Sequence, residues 1–504
     1  IWSLMSQSID FEFGFMGITG NGRFHAVYSA YNFNPKFSIK SFTNEILTFE
    51  NEANKKDSLF WDTKRPVLLT KAEASDYVKK DSVQIVRKSK KYLDSTDAIS
   101  NKFKIGNILG YNYQNSHKDI NIGYGSPLEK LGFNTVQGFN TGINVYYSKN
   151  IDDFNRYYRI NTDIEYGFSD DRLRGTLSFR YKFNDTKRPV LNLSGGLKTE
   201  QFNSSEPISK AENSGFSLFA ERNYLKIYEK SFAKVDYSQE LFNGLRMSST
   251  LAFERRKPLF NTTDQAWIPR ADREYTSNNP LDETAYGIAP FNTHNILKLN
   301  LGAQINIGQK YFSYPDSKWN IPSRKFPTIY LGYEKGFAST VKDYNFDEIS
   351  ARLTQGVSIG NKGYFQYNLK GGAFFNADNI AFTDYKHFNG NQINLGTASS
   401  YTNVFNHLSY YAFSTNDSYS EFHAEHDFRG FILGKIPLLN KLNFNLVVGA
   451  HNLSTQDIKP YQEYSIGLDN LGWGTFRFLR LDYVRSYQSG FVSDAIIFGI
   501  KLLN

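Results

Sequence analysis

The stretch SEFHAEHDF, residues 420–428, gathers groups that could do chemistry. Side chains of an extended chain alternate between faces. Glu421, His423, Glu425 and Asp427 therefore project to one side, and Phe422, Ala424, His426 and Phe428 to the other. An acidic row taken out of water needs a cationic partner. A row lining a hydrated passage needs none. His423, Glu425 and Asp427 could also ligate a metal, although His-x-Glu-x-Asp on a strand arises commonly by chance. All three uses place the row on the wall of an interior.

Other chemistry is sparse. The chain contains no G-x-S-x-G elbow, no H-E-x-x-H and no phosphate-binding loop. The glycine pair in GYG, residues 123–125, lies in a strand or turn and does not open a helix. No catalytic residue, metal or cofactor is expected, and the chain is read as a non-enzyme. There is no cysteine, hence no disulfide or thiolate site. The net charge of +8 is spread along the chain, which fits solvated loops and argues against nucleic-acid binding. Residues 185–193, 257–280 and 405–420 read as loops, the last two rich in Asn and aromatic residues. This is ordinary loop composition near a membrane interface, or a surface for protein or glycan contact.

The elements that must position the acidic row repeat the same alternation. In RLRGTLSFRYKF, residues 172–183, Leu177, Phe179, Tyr181 and Phe183 alternate with Ser178, Arg180 and Lys182. Asp163 and Glu165 alternate with Ile164 and Tyr166, Glu463 and Asp469 with Tyr464 and Ile466, and Arg480 and Asp482 with Leu481 and Tyr483. True charges at this density are foreign to a two-layer soluble core. Aromatics make up 16% of the 504 residues, with 43 Phe and 34 Tyr, yet mean hydropathy is −0.49. No run of about 18 apolar residues exists, so no membrane-crossing helix is expected. Only helices and closed barrels satisfy their backbone inside a bilayer. The composition and alternation therefore predict an all-β transmembrane antiparallel barrel, with charged faces inward and aromatic faces in lipid. Short turns such as 169–171 against long loops such as 259–293 and 308–325 support this.

The predicted organisation is a β-hairpin over residues 1–35, ending a periplasmic domain, then a charged helical or linker segment over 36–101. A barrel of about sixteen strands fills 102–504. Thr70 with Glu73 forms a capping-box pattern ahead of an amphipathic helix. The chain opens at Ile1 inside a strand pattern and carries no signal peptide, so it reads as a piece of a longer precursor.

Several stretches resemble a known family: WDTKRPVLLT (61–70), KKYLDSTD (90–97), LEKLGFNTVQGFN (128–140), NYLKIYEK (223–230), YKHFNGNQ (385–392), HDFRGFILGKIPLLNKL (426–442), KPYQEYSIGLDNLG (459–472) and FLRLDYVRS (478–486). They look like an uncharacterised Bacteroidota outer-membrane barrel family, a domain of unknown function usually preceded by a carboxypeptidase-regulatory-like domain. The last strands resemble, more distantly, the BamA/TamA superfamily of assembly and translocation barrels. On that resemblance YKHFNGNQ falls where the superfamily carries an in-folded loop motif whose Arg meets acidic wall residues. Here Phe388, Asn389, Gly390 and Asn391 stand in its place and the Arg is missing. Lys386 or His387 is expected to supply the charge to Glu421, His423, Glu425 and Asp427. The closing strand AIIFGIKLLN, with Phe498, Gly499 and Ile500, is the candidate seam strand, since Gly499 weakens packing and an exposed edge can template a new strand.

The resemblance implies a barrel of the bacterial outer membrane that helps assemble or translocate outer-membrane or surface proteins. A non-enzymatic partner subunit of a larger envelope complex, or a channel, stands as the alternative. The expected partners are outer-membrane lipid and lipopolysaccharide, with other outer-membrane proteins or lipoproteins as clients, and no nucleic acid.

Overall fold

The computed structural model describes residues 2–15, 18–38, 41–152, 155–322, 325–396, 400–474 and 476–500. It divides into two compact units. One comprises residues 1–89 with 310–321, and the other residues 90–309 with 322–504.

In the first unit Ser6–Phe15 and Ile18–Val27 form an antiparallel hairpin, Ser6 facing Val27 and Phe15 facing Ile18. Helix Lys71–Lys88 starts at the expected capping box: the Thr70 side chain accepts from the Glu73 backbone, and the Glu73 carboxylate accepts from Thr70. Residues 310–321, read from sequence as part of a barrel loop, instead form two strands that join Glu45–Thr48 in a small sheet.

The second unit is a closed barrel. Its wall strands are β1 Tyr111–Asn115, β2 Ile120–Tyr124, β3 Gly138–Asn150, β4 Tyr157–Gly167, β5 Arg172–Lys182 and β6 Val190–Gln201. They continue as β7 Ile227–Phe242, β8 Leu245–Pro258, β9 His294–Asn306, β10 Thr328–Phe337, β11 Phe346–Ser358 and β12 Tyr364–Phe375. The last five are β13 Tyr419–Asp427, β14 Asn445–Thr455, β15 Tyr461–Trp473, β16 Phe476–Tyr487 and β17 Phe491–Ile500. Each pairs antiparallel with the next from β1 to β17. The expected sixteen become seventeen among the described residues because the short β1 adds an edge hairpin to β2.

The polarity of the wall is that of a barrel in lipid. On β15 Glu463 is 0% exposed and Asp469 is buried, whereas Tyr464 and Ile466 between them are each 52% exposed. On β5 Arg174 is buried and Leu177 is 56% exposed. Charges face in and greasy side chains face out, the reverse of a soluble core. Among the described residues no helix is long and apolar enough to cross a membrane, so any crossing is made by strands. Loops 202–226, 259–293 and 376–418 gather at one end, and the short turn 169–171 joins them there, Thr262 bonding Ser169. The long connection between β9 and β10 leaves from the opposite end, with the tight turns 243–244 and 359–363.

An arginine at the outward Ile466 would meet acyl chains. Ile466→Arg is expected to lower the stability of the barrel folded in phospholipid vesicles by about 2–4 kcal/mol if the residue lies at midplane depth, read from urea unfolding of the reconstituted protein.

Candidate functional site

The site is built from loop 376–418, between β12 and β13, which folds back between the inward faces of the wall strands. Two runs of this loop bond to each other like a distorted hairpin. Lys386 and Thr415 exchange both backbone hydrogen bonds, Phe405 N donates to Asn389 O, and Asn391 N donates to Leu408 O. Gly390 is required by this crossing: a Cβ there would lie 2.3 Å from the Leu408 carbonyl. Asn391 Oδ1 accepts from Ile393 N and its Nδ2 donates to Leu395 O. The FNGN stretch is therefore a backbone scaffold. The loop brings its own core: Ile380, Phe388, Phe405, Leu408 and Phe413 pack on the inward wall residues Ile296, Phe346, Phe374, Leu453 and Tyr461.

Polar anchors hold the loop to the wall. Asp384, whose side chain is wholly buried, accepts from Arg256 Nη1 of β8 at 2.5 Å and from Lys298 Nζ of β9 at 2.9 Å. On the other side of the lumen, Glu463 of β15 accepts from the backbone N–H of Asn406 at 2.7 Å and of His407 at 2.8 Å. Asn368 of β12 donates to Thr402 O at 2.8 Å, and Asn203 donates to Phe388 O at 2.9 Å. A cavity of about 550 Å³ remains beside Asp384, lined among others by Lys230, Glu254, Glu348, Arg352 and Lys386.

The acidic row lines the lumen as expected, but its partners differ from the expectation. Glu421 takes Lys370 Nζ of the neighbouring β12 at 2.6 Å. His423 bonds Glu421 through Nε2 at 2.6 Å and His451 through Nδ1 at 2.7 Å. Glu425 meets Arg480 of β16 at 2.8 Å. Asp427, at the strand end, accepts from Arg429 N. His423, Glu425 and Asp427 thus hold three separate sets of partners and do not converge. Lys386 and His387 do not reach the row. Lys386 lies over the Tyr419 ring, 5.2 Å from its centroid. His387 donates from Nε2 to Phe382 O and accepts at Nδ1 from Ser414 Oγ. Glu421 and Glu425 are already paired with wall cations, Lys370 one strand away and Arg480 three, so the loop's ion pairs have the opposite sign: acid on the loop, bases on the wall.

At the expected seam, the ring order sets β17 beside β1, yet no residue register joins them among the described residues. The strand β17 also bonds the loop. Leu395 and Gly396 run parallel to Phe498 and Gly499, and Phe498 N donates to Asn394 O at 3.0 Å. Gly499 admits Tyr401, whose hydroxyl would meet a Cβ there at 1.9 Å. Tyr401 stacks on the Arg480 guanidinium, 3.6 Å from the ring centroid. Ile500 follows on the exposed face. The edge of β1 is capped by side chains from the helix Lys90–Ser100 and the residue after it. Asn101 accepts from Gln114 N and donates to Gln114 O, and Asp97 accepts from Ser116 N. Neither Asp384 nor Asn101 stood out in the sequence, since an Asp or Asn in a loop ordinarily faces water.

Burial alone would raise the Asp384 carboxyl, but Arg256 and Lys298 together outweigh it and hold it well below the usual carboxylate range. Asp384 stays charged throughout pH 5–8. Asp384→Ala removes the loop's ion pairs to Arg256 and Lys298, which keep Glu254 and Glu334 as wall partners, and the docked loop should lose about 1.5–3 kcal/mol, seen as protease cleavage within 376–418. Burial pushes His387 down to about 3. Its neutral form favours docking fully above the unfolded value near 6.5, and this contribution fades as pH falls toward about 3. His387→Gln should flatten the rise in cleavage between pH 7 and pH 4.5 relative to the unaltered chain.

No curated protein matches the chain. Among solved structures it is similar to BamA from Haemophilus ducreyi lacking POTRA domains 1–3, at 9% identity and a TM-score of 0.38, covering 98% of this chain and 88% of that one. CdiB from Acinetobacter baumannii follows at 10% identity and a TM-score of 0.35, covering 73% of this chain and 56% of that one. The outer membrane protein opdK from Pseudomonas aeruginosa gives 11% identity and 0.28, covering 71% and 90%. Likenesses at these scores carry no argument about mechanism. The family model for a C-terminal domain of unknown function matches residues 105–468, and the chain belongs to that family, DUF5686.

Proposed function

We propose that this protein is a non-enzymatic barrel of the bacterial outer membrane that assists the assembly or translocation of outer-membrane or surface proteins. The observation that carries this reading is the seam. The last wall strand bonds a two-residue stretch of the in-folded loop, while the first is capped by Asn101 and Asp97. A free strand edge is a template for an added strand. Here each edge is occupied by a few bonds from its own chain, and each bond is worth about 0.5–1.5 kcal/mol net. A client strand that makes a full ladder exchanges for them at small expense. The loop core packed inside the wall argues against a passively open channel. Lipid and lipopolysaccharide surround the wall, and the clients are other outer-membrane proteins or lipoproteins.

Because the chain has no native cysteine, the seam can be closed covalently. Leu395→Cys with Phe498→Cys joins ladder partners. In a host depleted of the native protein, the unaltered chain and each single-cysteine variant should restore the outer-membrane and surface proteome, measured by quantitative proteomics. The oxidised double variant should fail, and reductant should rescue it. An outer-membrane proteome left intact by depletion would sink the assembly reading.

A further inference from the structure

The connection between β13 and β14, residues 428–444, reads FRGFILGKIPLLNKLNF. It lies at the barrel end that carries the tight turns 243–244 and 359–363, opposite loops 202–226, 259–293 and 376–418. It contains no acidic residue and three basic ones, Arg429, Lys435 and Lys441. Its two helical turns, Leu433–Lys435 and Leu439–Lys441, bury no residue. Ile436, Leu439 and Leu442 are exposed, and Leu438 is 75% exposed.

This apolar surface is built, not frayed. Leu438 holds a left-handed backbone at φ 72°, which is unfavourable for a branched residue. The conformation is pinned by Lys441 N donating to Leu438 O and Asn440 N to Ile436 O. Arg477 donates to Leu442 O, and Asn470 Nδ2 donates to Asn443 O at 2.6 Å. Backbone strain maintained by several bonds, with the result that leucines face outward, needs something apolar outside. The surface continues the outward face of the wall: Phe428 N donates to Leu446 O, and the exposed Phe422, Tyr464 and Ile466 stand on β13 and β15. The Lys435 ammonium sits 3.7 Å from the Phe431 ring centroid, which keeps a charged head at the border of a greasy patch. Leucines and isoleucines ringed by basic groups with no acid are the composition of an interfacial membrane element.

We propose that residues 428–444 form an interfacial anchor that seats Ile436, Leu438, Leu439 and Leu442 in the leaflet at the tight-turn end, with Arg429, Lys435 and Lys441 on the phosphates of anionic phospholipids. The anchor rests on the membrane reading of the barrel but not on its assembly role. It fixes the depth of the wall that leads into the closing strands, and it responds to the phospholipid composition of that leaflet.

The full cysteine-free chain allows a direct test. Single spin labels are placed at Leu438→Cys in the loop and Ile466→Cys on the wall. The protein is reconstituted in phosphatidylethanolamine vesicles with and without phosphatidylglycerol, and collisions with oxygen and with a soluble nickel chelate are compared by electron paramagnetic resonance. Both labels should favour oxygen, and the preference at 438 should deepen with phosphatidylglycerol. Lys435→Gln with Lys441→Gln should abolish that deepening and leave 466 unchanged. Nickel access at 438 with oxygen at 466 would overturn the anchor and leave the barrel reading intact. Exclusion of both agents at 438 would also overturn it, in favour of a protein covering the loop. Nickel access at 466 would bring down the membrane reading itself.

Discussion

A wall of strands in lipid must bond every backbone N–H and C=O to a neighbour, because hydrocarbon offers no partner. Sixteen antiparallel junctions in this barrel obey that rule by ladder pairing from β1 to β17. At the closing junction, side-chain and loop groups bond the strand edges among the described residues. The carboxamide of Asn101 supplies one donor and one acceptor to Gln114, as a peptide unit of a neighbouring strand would. The backbone of residues 394–396 does the same for Phe498. Both groups come from segments outside the wall strands.

The in-folded loop is held by charge and by packing, and the two act together. Asp384 can be buried because Arg256 and Lys298 pair with it, and aromatic residues pack alongside. Burial strengthens the ion pairs and also makes breaking one of them expensive. The wall residues that face the loop are likewise neutralised locally, Glu421 by Lys370 and Glu425 by Arg480. The lumen thus contains many charges but few that lack a partner, and the loop adds its own acid where the wall offers two bases.

Much of this was legible in the sequence where period two governs. Glu463, Asp469, Arg480 and Asp482 face inward because their strands put greasy residues at the intervening positions. YKHFNGNQ lies in loop 376–418 and Phe498 to Ile500 in the last strand. The polarity of the loop anchor was not legible. Lys386 and His387 looked like the missing cations because the wall row looked unpaired, and cross-strand partners such as Lys370 for Glu421 depend on register, which alternation alone does not determine. Gly499, read as a weak spot, is instead the space that Tyr401 occupies. Asn101 follows a helix and gives no pattern at all.

Tyr401 ties the seam to the anchor. Its ring lies on Arg480, which holds Glu425 and Asp482, and it reaches the edge at Gly499 through the gap that glycine leaves. Its buried hydroxyl finds no hydrogen-bond partner among the described residues, an arrangement that costs about 1–3 kcal/mol. Withdrawal of the loop would rehydrate that hydroxyl, uncover Gly396 and Gly499, and leave Arg480 still paired within the wall. Tyr401 thus touches both the loop and the last strand. The same segment both fills the lumen and lies along the edge of the last strand.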